Sequence, residues 1–401
     1  MTNPADPAAE APAGRPPPRG FPRVLLALIL GQISLHACMA GVRMAAPLQA
    51  LRDGHGQWAV GVLMALFALA PVALALPAGR LADRMGYHRP MQMAVGLSFA
   101  GGVAALLGGH YLVACLAATL TGAGANIGLI VILRTAGHMA GDPTERIRIF
   151  SWLGLAPALS NVVGPLLAGV LIDLAGFRTA YAVLMLLPLA ALGWARVVPA
   201  ERPAAPAAPL AGSPVVAPGA WGLLRLPALR RLLVINWLVS ASWDVHTFVL
   251  PILGHERGLS ASAIGAILGV FAAAVAGIRL LIPLLAHRLG PTQVLAAAMV
   301  CTAAVFAVYP LVHTAWAMGA CAMVLGMALG SVQPMIMSSL HQITPEARHG
   351  EAIALRSMTI NLSSTVMPLL FGVAGTAIGA GGLFWLMGLA VGAGSLRTRR
   401  L

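Results

Sequence analysis

The 401 residues include not one lysine, and only 9% of them carry a charge. A soluble globular chain carries about 25% charged residues, so this one cannot cover its surface with polar groups. Aromatic residues are sparse as well, at 5%. The four cysteines, Cys38, Cys115, Cys301 and Cys321, all fall inside apolar runs and none has CxxC spacing. That excludes a disulfide framework and a thiolate metal centre, and leaves them as small packing residues. The sequence also lacks an HExxH motif, a pair of acids within an apolar run and a glycine-rich phosphate loop. A membrane-embedded enzyme or an ATP-driven pump therefore has no machinery here, and neither metal nor cofactor is expected. The net charge of +13 comes from 25 arginines. They cluster between apolar runs and form no continuous basic face, so they set topology and do not bind nucleic acid.

What the chain has instead is hydrophobicity, at 59% of residues. A bilayer core about 30 Å thick takes about 20 apolar residues per helix. Breaks at charged or turn-rich points give twelve such runs, at 24–50, 58–78, 91–109, 111–133, 149–173, 178–198, 230–253, 261–285, 292–310, 312–338, 350–375 and 379–396. The expected fold is an all-α polytopic membrane protein with twelve transmembrane helices. Residues 1–22, rich in Pro and Ala, read as a disordered cytoplasmic tail, and the first apolar run is too long for a signal peptide. With the amino terminus inside, nineteen arginines fall in cytoplasmic segments, against Arg52, Arg178 and Arg257 outside. That is a strong positive-inside bias. It places both termini in the cytoplasm, and the use of arginine alone for every basic residue hints at a GC-rich bacterial genome, hence a bacterial inner membrane.

The stretch 199–227, also rich in Pro and Ala, reads as a cytoplasmic linker. It separates a bundle at 23–198 from one at 228–396, with a short tail at 397–401. The halves repeat each other. "LADRMG" at 81–86 matches "LAHRLG" at 285–290, and "GPLLAG" at 164–169 matches "MPLLFG" at 367–372. Gln32, His36 and Arg43 correspond to Asn236, Ser240 and Thr247 at an offset of 204. Two pseudo-symmetric six-helix bundles form a transporter design, with the site near the midplane between them.

On these residues the chain resembles the major facilitator superfamily over nearly all its length after the tail. Gly79 to Arg89 resembles the family's signature loop, with Tyr87 in place of a usual basic residue. The resemblance implies a gate latch between the halves at Asp83, with Arg84, Arg134 and the start of span eleven as candidate partners and Gly79 and Gly86 shaping the loop. An ordinary topology loop is the alternative, and His287 offers no fixed negative charge in the second half. Gly164 and Pro165 resemble the Gly-Pro motif of proton-driven exporters. The arginine many exporters carry in span four is missing, and its place is Ala118.

Charged and polar groups at membrane depth are functional candidates. Gln32, His36 and Arg43 fall on one face of span one, and Asn236, Ser240, Asp244 and Thr247 on one face of span seven. These faces are expected to line the cavity, with interhelical hydrogen bonding as the alternative for the uncharged members. Asp244 lies about 20 Å from the start of its span. It is read as the coupling-proton carrier, with His36 as the other candidate. An ion pair of Asp244 with Arg43, or a direct contact with substrate, stays open. Arg279 and Arg356 lie about 10 Å deep and suit an anionic or oxygen-rich solute, or else headgroups and carbonyls. Asn126, Asn161, Gln333 and Trp243 complete the expected substrate site. The function read from this is proton-coupled export of a metabolite, siderophore-like or drug-like compound by alternating access. Uptake of an organic anion is the alternative. The expected partners are a small solute, a proton and the lipid bilayer, with the protein as a monomer.

Overall fold

In a computed structural model, residues 21–139, 149, 152–200, 220–285, 290–344 and 349–398 are described, and they form helices joined by short turns. The helices are α1 (Phe21–Arg52), α2 (Gln57–Met85), α3 (His88–Leu107), α4 (Tyr111–Met139), α5 (Leu155–Leu184), α6 (Leu187–Ala195), α7 (Pro227–Glu256), α8 (Ala261–Leu285), α9 (Pro291–Val308), α10 (Ala315–Ile343) and α11 (His349–Thr398). Among the described residues, ten stretches are long and apolar enough to cross a membrane.

Two of those ten, Leu155–Ala195 and Leu355–Leu396, have 41 and 42 residues, about twice what one crossing needs. Each is broken at one glycine. Gly176 (φ 80°, ψ 172°) turns α5, and Gly379 (φ 71°, ψ 169°) turns α11. Only a residue without a Cβ takes such angles without strain. Counting each arm, the chain crosses twelve times, with spans five and six meeting at Gly176 and eleven and twelve at Gly379. An even number of crossings brings α11 back to the side on which α1 begins. That side is proximal below, and the opposite side is distal.

The helix limits repeat. Arg52 and Glu256 end α1 and α7, Gln57 and Ala261 open α2 and α8, and Tyr111 and Ala315 open α4 and α10, each pair 204 residues apart. The two turning glycines are 203 apart. Some edges differ from expectation. Phe21 and Pro22 form the first turn of α1 and are not tail. Ala220–Arg225 is a 3-10 turn, and α7 starts at Pro227 within the stretch read as linker. Arg397 and Thr398 still belong to α11. Proline at the first turn of a helix loses no hydrogen bond, which is why helix can begin where composition suggested coil.

The halves meet along two seams, α5 against α8 and α2 against α11. Both are closed at the distal end by glycine. A Cβ on Gly265 would lie 2.3 Å from the Pro165 carbonyl, and one on Gly169 would lie 2.3 Å from the Ala261 carbonyl. On the other seam, a Cβ on Gly61 would lie 2.5 Å from the Pro368 carbonyl. Toward the proximal end the halves part. A cleft of about 670 Å³ runs there between α2, α7 and α11 past Leu69, Val72, Trp237, Leu355 and Leu362. The molecule is shut distally and open proximally.

Candidate functional site

The signature loop takes its shape from Gly86. This residue caps α2 with φ 69° and ψ −151° and returns its N–H to the Ala82 carbonyl. Tyr87, the departure from the family pattern, is 1% exposed and packs with Leu28, Leu35 and Met91. It exchanges a basic group for core closure under α1. His88 Nε2 meets the Ala195 carbonyl at 3.2 Å and ties the loop to the end of α6. Gly79 has open space around it, so no close approach requires glycine there. Arg84 is exposed and makes no hydrogen bond or ion pair among the described residues. Arg134 is half-buried near the end of α4. The Asp83 side chain, the whole of His287 and the residues just before α11 lie outside what is described, so the latch does too.

The Gly-Pro motif serves two contacts. A Cβ on Gly164 would lie 2.5 Å from the Ala37 carbonyl and 2.9 Å from the Gly41 amide, which lets α5 cross α1 backbone to backbone. Pro165 turns its carbonyl toward Gly265 across the seam. One residue thus shapes the first half, and its neighbour helps to join the two.

Between the halves, α1 and α7 carry the polar faces expected of them. Gln32 and Asn236 are each 1% exposed, and neither amide has a hydrogen-bond partner on oxygen or nitrogen. His36 Nδ1 and Arg43 Nε are buried without partners. Unpaired buried polar groups cost about 1–3 kcal/mol each, so a cluster of them marks a place that water or solute fills. Ser240 and Thr247 spend their hydroxyl protons on their own helix, at Asn236 O (2.8 Å) and Trp243 O (3.2 Å). They offer lone pairs only.

Asp244 is 3% exposed. It accepts hydrogen bonds from Ser363 Oγ at 2.8 Å and Ser364 Oγ at 3.3 Å, both on α11. Arg43 acts on it through space but makes no ion pair with it. The direct Arg43–Asp244 pair left open by the sequence is therefore not formed in this state. Two hydroxyl donors take the place of the cation. Both serines went unremarked in the sequence because Ser in an apolar helix carries no signal of its own. The one hint was adjacency, a Ser-Ser pair seven residues past Arg356, on the same face of α11.

Distal to Asp244 lies a small cavity of about 50 Å³ that brings together Arg43, Asn161, Trp243 and Thr247 over Pro165 and Leu268. Trp243 is fixed edge-on against Phe271, with ring centroids 4.7 Å apart. His246 was also missed. It is fully buried, lies tilted against Phe271 with ring centroids 4.4 Å apart and meets the Tyr309 hydroxyl at 3.3 Å, so it belongs to the second half's core. Arg356 donates to Gln333 Oε1. Arg279 is exposed and has no partner among the described residues. Asn126 is half-buried on α4. The structure thus gathers Arg43, Asn161 and Trp243 in one pocket and pairs Gln333 with Arg356. Among the described residues, no group of three or more metal-ligating side chains comes together.

The family profile of the Major Facilitator Superfamily matches residues 28–238 and again 232–399. Among solved structures, one titled as a bacterial homologue of the human lysosomal transporter Spinster, inward-facing and occupied, aligns with a TM-score of 0.79. It has 13% identity and covers 96% of this chain and 98% of that one. The nucleoside transporter NupG aligns with a TM-score of 0.76, 13% identity and coverage of 94% and 98%. A peptide transporter bound to sulfate gives 0.72, 15% identity and coverage of 94% and 93%. Among curated proteins, the efflux pump azaK of Aspergillus niger is 32% identical over 115 residues, which are 28% of this chain and 23% of that pump.

Proposed function

This chain belongs to the major facilitator superfamily, and from that premise we propose that it is a proton-coupled exporter of a small organic solute. It is a multi-pass membrane transporter and not an enzyme. The solute is a metabolite, siderophore-like or drug-like molecule. The proximal side is the cytoplasm of a bacterial cell, and both ends of the chain lie there at the inner membrane. The observation that carries the reading is Asp244, a buried acid with two serine donors and no touching cation.

An ionised carboxylate only accepts hydrogen bonds, and the Ser363 and Ser364 hydroxyls suit that form. With the proximal end open, Asp244 has released its proton inward and the cavity can load solute. A proton arriving after the distal seams part turns one carboxylate oxygen into a donor. One serine contact then has to reverse or break, and α7 and α11 lose part of their tie. Binding and protonation thus bias the same pair of helices, as an exchange cycle requires. Arg43, Asn161 and Trp243 supply an anchor charge, an amide and a ring for the solute, while Gln32, His36 and Asn236 lie unpartnered on the way in. His36 is the second candidate for the proton.

The name of the fungal relative supports export, as does the Gly-Pro motif. Uptake of an organic anion is the second reading, favoured by the unpartnered Arg43 Nε at the cavity. The test is transport in proteoliposomes driven by a pH gradient of either sign. Export predicts solute movement against the proton gradient, and Asp244→Asn abolishes that movement while solute exchange without a gradient persists. Movement with the proton gradient assigns the second reading. Full gradient-driven activity in a folded Asp244→Asn protein removes Asp244 as carrier and turns the question to His36.

A further inference from the structure

Outside the transport path, the distal end of the first half holds a crevice of about 350 Å³ enclosed by α1, α3, α4 and the second arm of α5. Six alanines and two glycines form its apolar wall. The polar groups on it are Gln49, Asp53, His55, His110 and the hydroxyl of Tyr181, with the Tyr111 ring beside them. Tyr181 is 2% exposed, yet its hydroxyl has no hydrogen-bond partner among the described residues. Gln49 and Asp53 likewise make no side-chain hydrogen bond there. Gln49 is half-buried and Asp53 is exposed at the mouth, so these groups face the crevice with their hydrogen-bonding capacity open to a solute.

The second half shows what fills its counterpart. At the offset of 204, Asp53 corresponds to Arg257, Ala105 to Tyr309, Leu106 to Pro310, Gly108 to Val312 and Ala114 to Met318. The Arg257 guanidinium donates to the carbonyls of Val312, Pro310 (2.6 Å) and Tyr309 (3.5 Å), and reaches Met318 Sδ at 3.2 Å. It thus closes the carboxyl-terminal end of α9 and its 3-10 turn, where helix carbonyls run out of partners. In the first half, the Gly108 N–H closes onto Ala104 O, and the carbonyls of Ala105 and Leu106 stand at 3.9 Å from where a Gly108 Cβ would be. No side-chain cation reaches them among the described residues. The chain offers a carboxylate where its own repeat offers a guanidinium, and small Ala114 leaves the space that Met318 occupies.

We propose that this crevice is a binding site for a guanidinium-bearing solute, with Asp53 as counter-charge and the carboxyl-terminal carbonyls of α3 as acceptors. A planar fork of N–H donors fits a carboxylate in a bidentate manner, and the negative end of the α3 dipole favours a cation. Gln49 and the Tyr181 hydroxyl complete the polar contacts, and the Tyr111 ring offers a face to the cation. The occupant does in the first half what Arg257 does in the second, tying the α1–α2 turn to the end of α3.

The experiment measures thermal unfolding of the full-length protein in detergent with methylguanidine hydrochloride. Controls are tetramethylammonium chloride, which has no N–H, and sodium chloride at matched ionic strength. A ligand that binds the folded state raises Tm in step with its concentration over Kd. The expected result is a saturable rise with methylguanidine only. Asp53→Asn weakens it about tenfold or more, in keeping with the loss of a charge-assisted contact. Ala114→Met, which keeps every charge, removes it by filling the space. Asp53→Arg abolishes the response and raises the unliganded Tm, because the first half then supplies its own guanidinium. No saturable rise in the parent protein overturns the proposal. So does an unchanged response in both Asp53→Asn and Ala114→Met. A response kept in those two but lost in Asp244→Asn also overturns it, since it places the cation in the transport cavity.

Discussion

Asp244 joins two helices through oxygen atoms alone. Because Arg43 does not touch it, Asp244→Asn leaves no newly broken ion pair. The double variant Arg43→Gln with Asp244→Asn is therefore expected to recover no stability over the single one, as read by thermal unfolding. Arg356 differs, since it is held by Gln333 on α10 and keeps one buried unpartnered nitrogen. Lysine keeps the charge but loses the planar fork. Arg356→Lys is expected to raise the apparent KM roughly tenfold, about 1.4 kcal/mol, with kcat less affected. Arg279→Lys, at an exposed position, should shift KM less, and initial-rate transport assays on both variants decide it. The latch role of Asp83 is a proposal of the same scale. Asp83→Asn should slow turnover and alter cysteine accessibility at the two faces while nearly keeping substrate affinity.

Helices were more legible than the contacts between them. Hydropathy marks a span because each one must satisfy its backbone internally and face lipid, and that constraint is local. The breaks at Gly176 and Gly379 fall in or at the edge of the gaps expected between spans five and six and between eleven and twelve, but that each gap is a turn at a single glycine was not legible from composition. The partners of Asp244 lie 119 and 120 residues away, beyond any pattern along the chain. Asp173 was passed over since an acid near a span end reads as topology. In the fold it accepts from the Ala261 and Ser262 amides at 2.9 and 2.7 Å and from the Ser262 hydroxyl, and so caps α8 from α5. Losing such a cap costs about 1 kcal/mol. Asp173→Ala is thus expected to shift the balance about fivefold toward the distally open state, read by spin-label distances across the α5–α8 seam. Gly265→Ala should push the same way, because its Cβ meets backbone at Pro165. Gly164→Ala meets backbone within one half, so its cost appears as a lowered Tm and not as a changed opening.

At the scale of the molecule, the sequence showed two related bundles because similar motifs recur at a nearly constant offset. It could not show which end was closed, since both states use the same residues. That depends on which glycines are in contact, and Gly61, Gly169 and Gly265 are all distal. Cysteines placed at Leu69 and Thr365, which line the proximal cleft, should react with an impermeant thiol reagent from the proximal side. A saturating transported solute should slow that reaction. Equal labelling from both sides would contradict the closed distal end.

The two distal seams are not built alike. On one, a carboxylate of α5 holds the first turn of α8. On the other, Gly61, Gly372 and Gly375 of α2 and α11 meet through bare backbone and the Gln57 side chain. The cross-tie there is one exposed hydrogen bond from Gln57 Nε2 to Glu256 Oε1 on α7 at 3.3 Å, and the residue 203 positions after Asp173 is Thr376, whose hydroxyl turns back to Val373 O. Separating the halves therefore takes unequal work on the two flanks. The α2–α11 flank is expected to part first while the α5–α8 flank still holds, which would take the opening through a lopsided state with its gap on one side only. For that interval the cavity faces the lipid of a single flank, and an acyl chain or an oily solute has one route sideways in or out where a symmetric opening would have offered two.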